Sequence, residues 1–344
     1  MDSAWLESLT SAPNNTGELR TVAGIALPAS LLVLILLLSV FGNAAVIIVM
    51  LKTPHLREKT TNILLINLSM TDLLNATLVM PGALVSLIAD RWLLGMYWCY
   101  TQCALNYWFI IVSMLTLAMI SIDGFYAVIH PLHYMNIITP KVTRLGICYA
   151  WFQGCVFALI PALYRWVVYD YWEVVCAIDW DNEHHDEVIA YVSVAFITCF
   201  LIPTGVIVFC YLKIACAVRS SSGPQIPRGG RRQRQDVRVI HSLTVVVVVY
   251  FICMSPFCVT KVLKICLGSS ALPPYLNLTA SWFAFVASGT NPFIYGIFRH
   301  DFRQAFRNLI CRRERIFPSP PRRPNNQGTG QSQLTGREEG TMPM

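Results

Sequence analysis

Seven long apolar segments, separated by short polar connections, run through most of the chain. They cover residues 25–51, 61–89, 97–129, 142–164, 188–218, 237–267 and 275–298. A transmembrane helix needs about 20 mostly apolar residues to cross a hydrocarbon core of roughly 30 Å, and each segment is long enough. The segments lack the two-residue alternation of a barrel strand, and backbone groups in lipid must be hydrogen-bonded within their own segment. The pattern therefore predicts an all-α membrane protein with a seven-transmembrane helix bundle.

We expect no second folded domain in the remaining residues. We predict an extracellular N-terminal tail over residues 1–24, the bundle over 25–298, a short amphipathic juxtamembrane helix over 299–311 and a disordered cytoplasmic tail over 312–344. The composition agrees, since 55% of residues are hydrophobic and 13% are charged, against about 25% charged in soluble domains. Residues 1–20 are polar and acidic, so we expect the first segment itself, rather than a cleaved signal peptide, to direct membrane insertion.

The distribution of basic residues predicts the orientation of the bundle. Lys and Arg cluster in the connections after the first, third and fifth segments and in the tail, whereas the connection after the fourth segment is acidic. Because cytoplasmic loops hold an excess of Lys and Arg, we expect an extracellular N-terminus at the plasma membrane. The net charge of +7 then reflects basic residues beside anionic lipid, so membrane lipids rather than nucleic acid are the expected partners.

Several side chains are candidates for covalent modification. Asn14 and Asn277 lie in acceptor patterns for N-glycosylation on the predicted outer side, although Asn277 also fits an ordinary helix-start residue. Cys99 and Cys176 both lie on the predicted oxidising side, which permits a disulfide between them. Cys311 follows the amphipathic stretch just inside the membrane, a context suited to palmitoylation, with an unmodified interfacial cysteine as the alternative.

An ordered set of polar, proline and aromatic marks, with at least one in every segment, carries a family resemblance. The marks are Gly42-Asn43, Leu68, Asp72, Cys99, Trp151, Pro203, Tyr211, Pro256, Asn291-Pro292-Phe293-Ile294-Tyr295 and, beyond the last segment, Phe302. From about Gly42 to Cys311 the chain resembles the rhodopsin-like, class A G-protein-coupled receptors. The resemblance implies coupling to a heterotrimeric G protein, an extracellular ligand of unknown identity, and a receptor kinase and arrestin as further partners.

One ionisable group lies near mid-membrane, where it is costly and marks function. This group is Asp72, and the polar side chains expected around it are Asn43, Ser113, Ser288 and Asn291. In receptors of the resembled family the matching cluster holds a sodium ion in the inactive state, with the carboxylate as metal ligand. The alternative is a satisfied polar network without an ion. We predict no other cofactor.

The chain departs from the family pattern where signalling is usually controlled. The usual Asp-Arg-Tyr triplet reads Asp123-Gly124-Phe125, so the arginine is missing, and Met254 stands where a tryptophan is common. Two consequences compete: a loosened resting state with raised basal activity, or weak coupling because the G protein loses a contact. The candidate switch residues are Asp123, Gly124, Phe125, Tyr211, Asp236, Tyr250, Met254, Pro256, Pro292 and Tyr295.

Counting from Cys99 and from the helix prolines transfers the family's ligand positions to this chain. The predicted pocket consists of Asn106, Tyr107, Ile110, Ala195, Phe196, Cys199, Phe257, Cys258, Lys261, Ser281 and Phe285. Asn106 replaces the aspartate of amine receptors and Phe285 the retinal-binding lysine of opsins, so neither a biogenic amine nor light sensing is expected. Lys261 either binds a carboxylate or phosphate ligand or extends along a helix end toward water.

Three other classes of protein compete with a signalling receptor. A channel or transporter needs a polar pathway or inverted repeats with broken helices, and the sequence shows neither. An enzyme needs a nucleophile, a base and an orienting group at one depth, and no such group gathers here. The third class is a receptor-like protein that couples poorly or not at all, as a decoy or heterodimer partner, and Gly124 keeps it open. The favoured hypothesis is a G-protein-coupled receptor.

Overall fold

The computed structural model describes residues 20–220, 231–268 and 272–311, and its main feature is a bundle of long helices. Spans one to four are Val22–Lys52, Thr60–Ala89, Gly95–Ile129 and Pro140–Leu163. Span five runs from His185 to Ser220, span six is Arg231–Leu267 and span seven is Pro274–Phe298. Short helices Pro54–Arg57 and Pro131–Ile137 follow spans one and three, and a terminal helix, His300–Cys311, follows span seven. The predicted seven-helix bundle is confirmed.

Span boundaries follow from capping residues and prolines. The Thr21 hydroxyl accepts the backbone N–H of Gly24 and starts span one, and the Thr139 hydroxyl accepts that of Val142 before span four. Pro140 then occupies the first turn, where its missing N–H costs nothing. The predicted limits are close except in span six, which begins six residues earlier because its polar first turns continue the helix beyond the apolar run.

Six helices in the described part of the chain are long and apolar enough to cross a membrane. Span seven has 25 residues and carries more polar side chains, including Asn277, Ser281, Ser288 and Asn291, all of them buried. It packs between spans one and six, and an added Cβ at Gly42 would lie only 2.8 Å from Pro292 Cγ. Close helix contact at Gly42 thus places the polar face of span seven inside the bundle.

Two short π-helical turns interrupt spans two and five. They cover Asn75–Val79 and Ile197–Leu201, directly before Pro81 and Pro203. Proline removes an N–H and crowds the preceding turn, so the helix closes with wider hydrogen bonds there. Each π-helical turn shifts which residues of the helix face the interior of the bundle. Asn75 and Cys199 are buried as a result.

A β-hairpin between spans four and five covers the end of the bundle at which span three begins. Strand β1, Val167–Asp170, pairs antiparallel with β2, Val175–Ile178, with Tyr169 opposite Cys176. The Cys99–Cys176 disulfide joins β2 to the start of span three, with the two Cα atoms 5.3 Å apart. This disulfide was predicted, whereas the two strands were not.

The hairpin turn is closed by its own backbone and by one carboxylate. Oδ1 of Asp170 accepts the N–H groups of Trp172 and Glu173 at 2.9 Å each, and Val174 N–H donates to Asp170 O. Val174 has φ 60°, a left-handed conformation that is unusual for a β-branched residue. The turn therefore holds Glu173 in one position above the helices.

The terminal helix lies against the opposite end of the bundle from the hairpin. Phe302 and Ala305 are buried, and the Phe302 ring lies edge-on to that of Tyr295. The Arg299 guanidinium donates to Asn62 Oδ1 at 2.8 Å and pairs with Asp301. Asn14, the tail at 312–344 and the side chains of Asp236 and Cys311 lie outside the described part of the structure, so those predictions stay predictions.

Candidate functional site

A mostly apolar cavity of about 120 Å³ opens between spans three, five and six beneath the hairpin. Eight of the predicted pocket residues line it: Tyr107, Ile110, Ala195, Phe196, Cys199, Phe257, Cys258 and Lys261. Ile178 and Trp180 also line it, from the hairpin and the segment that follows, together with Tyr191 of span five and Met254 of span six. The hairpin thus forms part of the wall.

Three predicted pocket residues do not line this cavity. Asn106 and Ser281 are buried elsewhere in the bundle, and the Ser281 hydroxyl has no hydrogen-bond partner in the described residues. Phe285 packs with Phe109 and Trp282, its ring centroid 5.8 Å from that of Trp282. Transferring pocket positions by counting assumes that each helix has the same rotation as in the family. The cavity in this structure is instead displaced toward span five.

A buried cluster of four charges joins the hairpin to span six. Lys261 Nζ lies 2.7 and 2.8 Å from the two carboxylate oxygens of Glu173. Lys264 Nζ lies 2.6 Å from Glu173 Oε1 and 2.9 Å from Asp170 Oδ2. Glu173 is 2% exposed and Lys264 4%. Lys261 therefore does not extend toward water, and that interpretation was wrong.

The two ammonium groups keep Glu173 ionised. Burial alone would raise the pKa of Glu173, but Lys261 and Lys264 together lower it to about 2. Sequence analysis missed this cluster. The available signal was spacing: two acids three residues apart in the acidic connection match two lysines three residues apart on one helix face.

A second ion pair fixes the hairpin from the other side. Arg20 Nη1 lies 2.9 Å from Asp90 Oδ1 at the end of span two, and the Tyr171 hydroxyl donates to the same oxygen at 2.8 Å. The Arg20 guanidinium also donates to Tyr171 O and lies 4.0 Å from the centroid of the Tyr171 ring. The hairpin is therefore held at its turn, at its disulfide and at Tyr171.

The predicted mid-membrane network surrounds a small cavity. Asn291 donates to Asp72 Oδ2 at 2.8 Å, and Asn43 donates to the backbone oxygens of Ser39 and Ser288, each at 2.9 Å. The hydroxyl of Ser113 hydrogen bonds to that of Thr71 rather than to Asp72. Ser113, Ser288 and Asp72 nevertheless line the same cavity, which leaves about 20 Å³ for a water-sized particle.

The chemistry of this cavity fits a hard cation. Its polar lining groups are carboxylate, hydroxyl and amide oxygens, which such ions prefer, and the rest of the wall is apolar or aromatic, including Phe109 and Met254. Asn75 lines the cavity and donates to Ser288 Oγ at 3.3 Å, while its own Oδ1 is buried and has no hydrogen-bond partner among the residues that the structure describes. An unpaired buried oxygen beside a carboxylate is what a bound cation would satisfy. These residues would hold a sodium ion and link spans two, three and seven.

We expect Asp72→Asn to remove any dependence of thermal stability on sodium. A ligand at ten times its Kd stabilises the folded state by about 1.4 kcal/mol, and the neutral amide cannot balance the ion's charge. The measurement is the melting temperature of purified receptor in sodium chloride against an inert salt of equal strength. A wild-type melting temperature indifferent to sodium would leave only the polar network.

At the end of span three away from the hairpin, neutral side chains bind Asp123 in place of the missing arginine. Asp123 accepts from the Thr61 hydroxyl at 2.5 Å and from the Tyr134 hydroxyl at 2.8 Å. A Cβ added at Gly124 would meet Ile214 Cδ1 at 3.9 Å, an ordinary contact. The carboxylate thus has neutral donors where the family pattern has a guanidinium, and Gly124 leaves space beside it.

The other switch residues lie along one path through the bundle. Met254 and Ile110 line both the apolar cavity and the polar one, and Tyr250 lines the polar one. Phe125 packs against Phe209, Pro256 lies inside span six, and the buried Tyr211 hydroxyl lies near Ser121 and Thr244. Tyr295 is fully buried. Asn277 is 6% exposed, which disfavours glycan attachment in this conformation.

Helix order, the disulfide-tethered hairpin and the network around Asp72 define a class of membrane receptor. The model of the family described as "7 transmembrane receptor (rhodopsin family)" matches residues 42–295. The chain belongs to this family and is a multi-pass protein of the plasma membrane. Its relatives are receptors and not enzymes.

The relatives are distant. The chain is 25% identical to "G-protein coupled receptor 161" of Xenopus tropicalis, over 85% of this chain and 61% of the relative, and 25% identical to that of Homo sapiens, over 89% and 63%. It is 26% identical to the "D(1A) dopamine receptor" of Xenopus laevis, over 80% and 70%. The chain thus spans about three fifths of the length of the first two.

A solved structure shares the fold. The crystal structure of squid rhodopsin superimposes with a TM-score of 0.72 at 22% identity, covering 84% of this chain and 82% of the other. At this identity the likeness concerns the arrangement of the helices.

Proposed function

We propose that this chain is a cell-surface receptor with an extracellular N-terminus that binds a ligand beneath the hairpin and signals to a heterotrimeric G protein. One observation carries the proposal: Ile110 and Met254 line both the apolar cavity and the polar cavity of Asp72. A ligand that displaced either side chain would change the packing of both sites. Movement of span six at Pro256 would then open the inner end, and a receptor kinase and arrestin would act on the tail.

The amine ligand named for one relative, the dopamine receptor of Xenopus laevis, does not fit this site. Asn106 replaces the acid that a cationic ligand would need, and it does not line the cavity. Lys261 is the charged side chain that lines the cavity among the described residues, and it would repel an amine. The cavity supports an apolar ligand, with any charge on it negative.

The contacts of Asp123 favour ligand-independent signalling. In the resembled family the triplet arginine ties span three to an acid on span six in the resting state. Here Asp123 is held by Thr61 of span two and by Tyr134, and these hydrogen bonds, among the residues that the structure describes, do not tie span three to span six. Lower restraint on span six raises the population of the active state.

A second candidate function rests on the same position. Gly124 offers no side chain to a G protein, and an uncoupled receptor would act as a decoy or as a heterodimer partner. Gly124 also weakens the helix by about 1 kcal/mol relative to alanine. The two candidates predict opposite results for one substitution.

We expect wild type to signal without ligand and Gly124→Arg to lower that signal several-fold at matched surface expression. The introduced guanidinium can pair with Asp123 in a charge-assisted bond, and a Cβ at this position makes only an ordinary contact with Ile214. Second-messenger assays covering each G-protein class measure the effect. Gly124→Ala is the matched control, because it restores helix propensity without charge.

The pattern of results separates the candidates. A silent wild type and a Gly124→Arg variant that gains signalling would establish the uncoupled receptor. Silence of both proteins in every class would reject constitutive activity. An equal loss in Gly124→Ala and Gly124→Arg would assign the effect to helix propensity rather than to the charge pair.

A further inference from the structure

The contacts of Glu173 have the geometry of a carboxylate bound to a receptor site. Both of its oxygens accept hydrogen bonds, from two ammonium groups at 2.6 to 2.8 Å. The lysines belong to span six and the carboxylate to the hairpin turn, 88 and 91 positions apart in the chain. Charge-assisted bonds of this length are about twice as strong as neutral ones. A chain segment here occupies a site built for an anion.

The apolar cavity adjoins this site directly. Lys261 lines the cavity, and its Nζ lies 4.8 Å from the centroid of the Phe257 ring, which lines it too. The remaining walls are mainly aliphatic, aromatic and sulfur-bearing side chains. A molecule in the cavity would therefore present its polar end to Lys261, where Glu173 now lies.

We propose that Lys261 and Lys264 form an anion-binding site which Glu173 fills in the ligand-free receptor, and that the ligand is an amphiphilic organic carboxylate. Its carboxylate replaces that of Glu173 and its apolar body fills the cavity between spans three, five and six. This assignment rests on the proposed receptor function and names the ligand class for the same cavity.

The hairpin can release Glu173 without leaving the bundle. The disulfide at Cys176 holds strand β2, and the contacts of Tyr171 with Arg20 and Asp90 hold the first residue of the turn. Asp170 remains 2.9 Å from Lys264 and balances one of the two cations after release. The turn carries Val174 at φ 60°, a conformation that a β-branched residue adopts only when its surroundings impose it. Exchange therefore requires movement of turn residues 172–174 alone.

The first experiment is chemical rescue. Glu173→Ala leaves the two lysines facing a space the size of a carboxylate, so millimolar acetate should raise its melting temperature relative to chloride at equal ionic strength. Wild type and Glu183→Ala, which removes an exposed acid of the same connection, should not respond to acetate. No response in purified Glu173→Ala would overturn the proposal.

The second experiment tests the amphiphile and does not require Glu173→Ala to fold. Octanoate should stabilise purified full-length receptor more than octan-1-ol, which has the same number of carbon atoms but lacks the charge. Because Glu173 competes as a tethered group at high effective concentration, Glu173→Gln should bind octanoate at least tenfold more tightly than wild type. Lys261→Gln should respond equally to the acid and the alcohol.

Equal effects of octanoate and octan-1-ol on both wild type and Glu173→Gln would overturn the proposal. A preference for octanoate that persists in Lys261→Gln would do the same, since the anion would then bind elsewhere. The readout is thermal stability, which does not depend on a G protein. A receptor that binds octanoate but never signals would reject the proposed function while leaving the anion site established.

Discussion

Replacing either cysteine of the Cys99–Cys176 disulfide by alanine is expected to cause the same large loss of surface expression, with no further loss in the double variant. The bond closes a loop of 77 residues, and removing such a cross-link costs about 4.5 kcal/mol in the chain-entropy model. It also frees β2, which forms part of the cavity wall. Surface staining against total protein measures the loss.

Cys103 supplies the matched control for this prediction. It is a free, buried cysteine in the same apolar cluster as Cys99 and Cys176, so Cys103→Ala removes a similar volume without breaking a bond. We expect it to retain most of its surface expression. Unequal losses at Cys99 and Cys176, or losses that add in the double variant, would contradict the pairing.

Lys264→Met is expected to destabilise the receptor by about 3 kcal/mol, because removing one partner leaves buried charge uncompensated. Asp170 would then lose its ammonium partner, and Glu173 would keep its hydrogen bonds to Lys261. The double variant with Glu173→Gln should lose less than the sum of the single changes. Thermal or denaturant unfolding of purified protein measures these differences. Lys141→Met, at an exposed position, is the control, and additive losses would show that the cluster is not coupled.

The contribution of Glu173 should be constant between pH 7.4 and pH 5.5. Its pKa is lowered from 4.5 to about 2, so its stabilisation is present above the unfolded value and is lost only as pH falls toward 2. The penalty of Glu173→Gln should therefore be equal at the two pH values. A penalty that shrinks at pH 5.5 would mean that the carboxylate is not held by both lysines.

The spans illustrate what local pattern can predict. Each helix is specified by residues that adjoin one another in the chain: an apolar run of membrane length, a capping threonine such as Thr139, and a proline in the first turn. Lipid leaves a helix as the conformation that satisfies every backbone group, so the element type followed from hydropathy alone. The elements that were missed are short or polar: the hairpin, the π-helical turns, the short helices after spans one and three, and the polar start of span six.

The order of residue types along the chain was also sufficient to predict the disulfide and most of the mid-membrane network. Cys99 and Cys176 stood out because both were assigned to the oxidising side, and Asp72 because a carboxylate in lipid needs partners. The residues that make hydrogen bonds in this network were harder to predict. Ser113 bonds to Thr71, and the unpaired oxygen of Asn75 had no signal, because the rotation of span two at its π-helical turn is a property of the folded helix.

The sequence by itself determined the bundle, its order and its family, since these depend on hydropathy and on motifs within single helices. Only the tertiary structure decided which charges meet. Glu173 and Lys261 lie 88 positions apart, and no local rule joins an acid of a connecting loop to a lysine of a later helix. Their pairing depends on how the disulfide-tethered hairpin lies over span six. Long-range electrostatic contacts are set by the positions of whole elements, which a linear pattern does not contain.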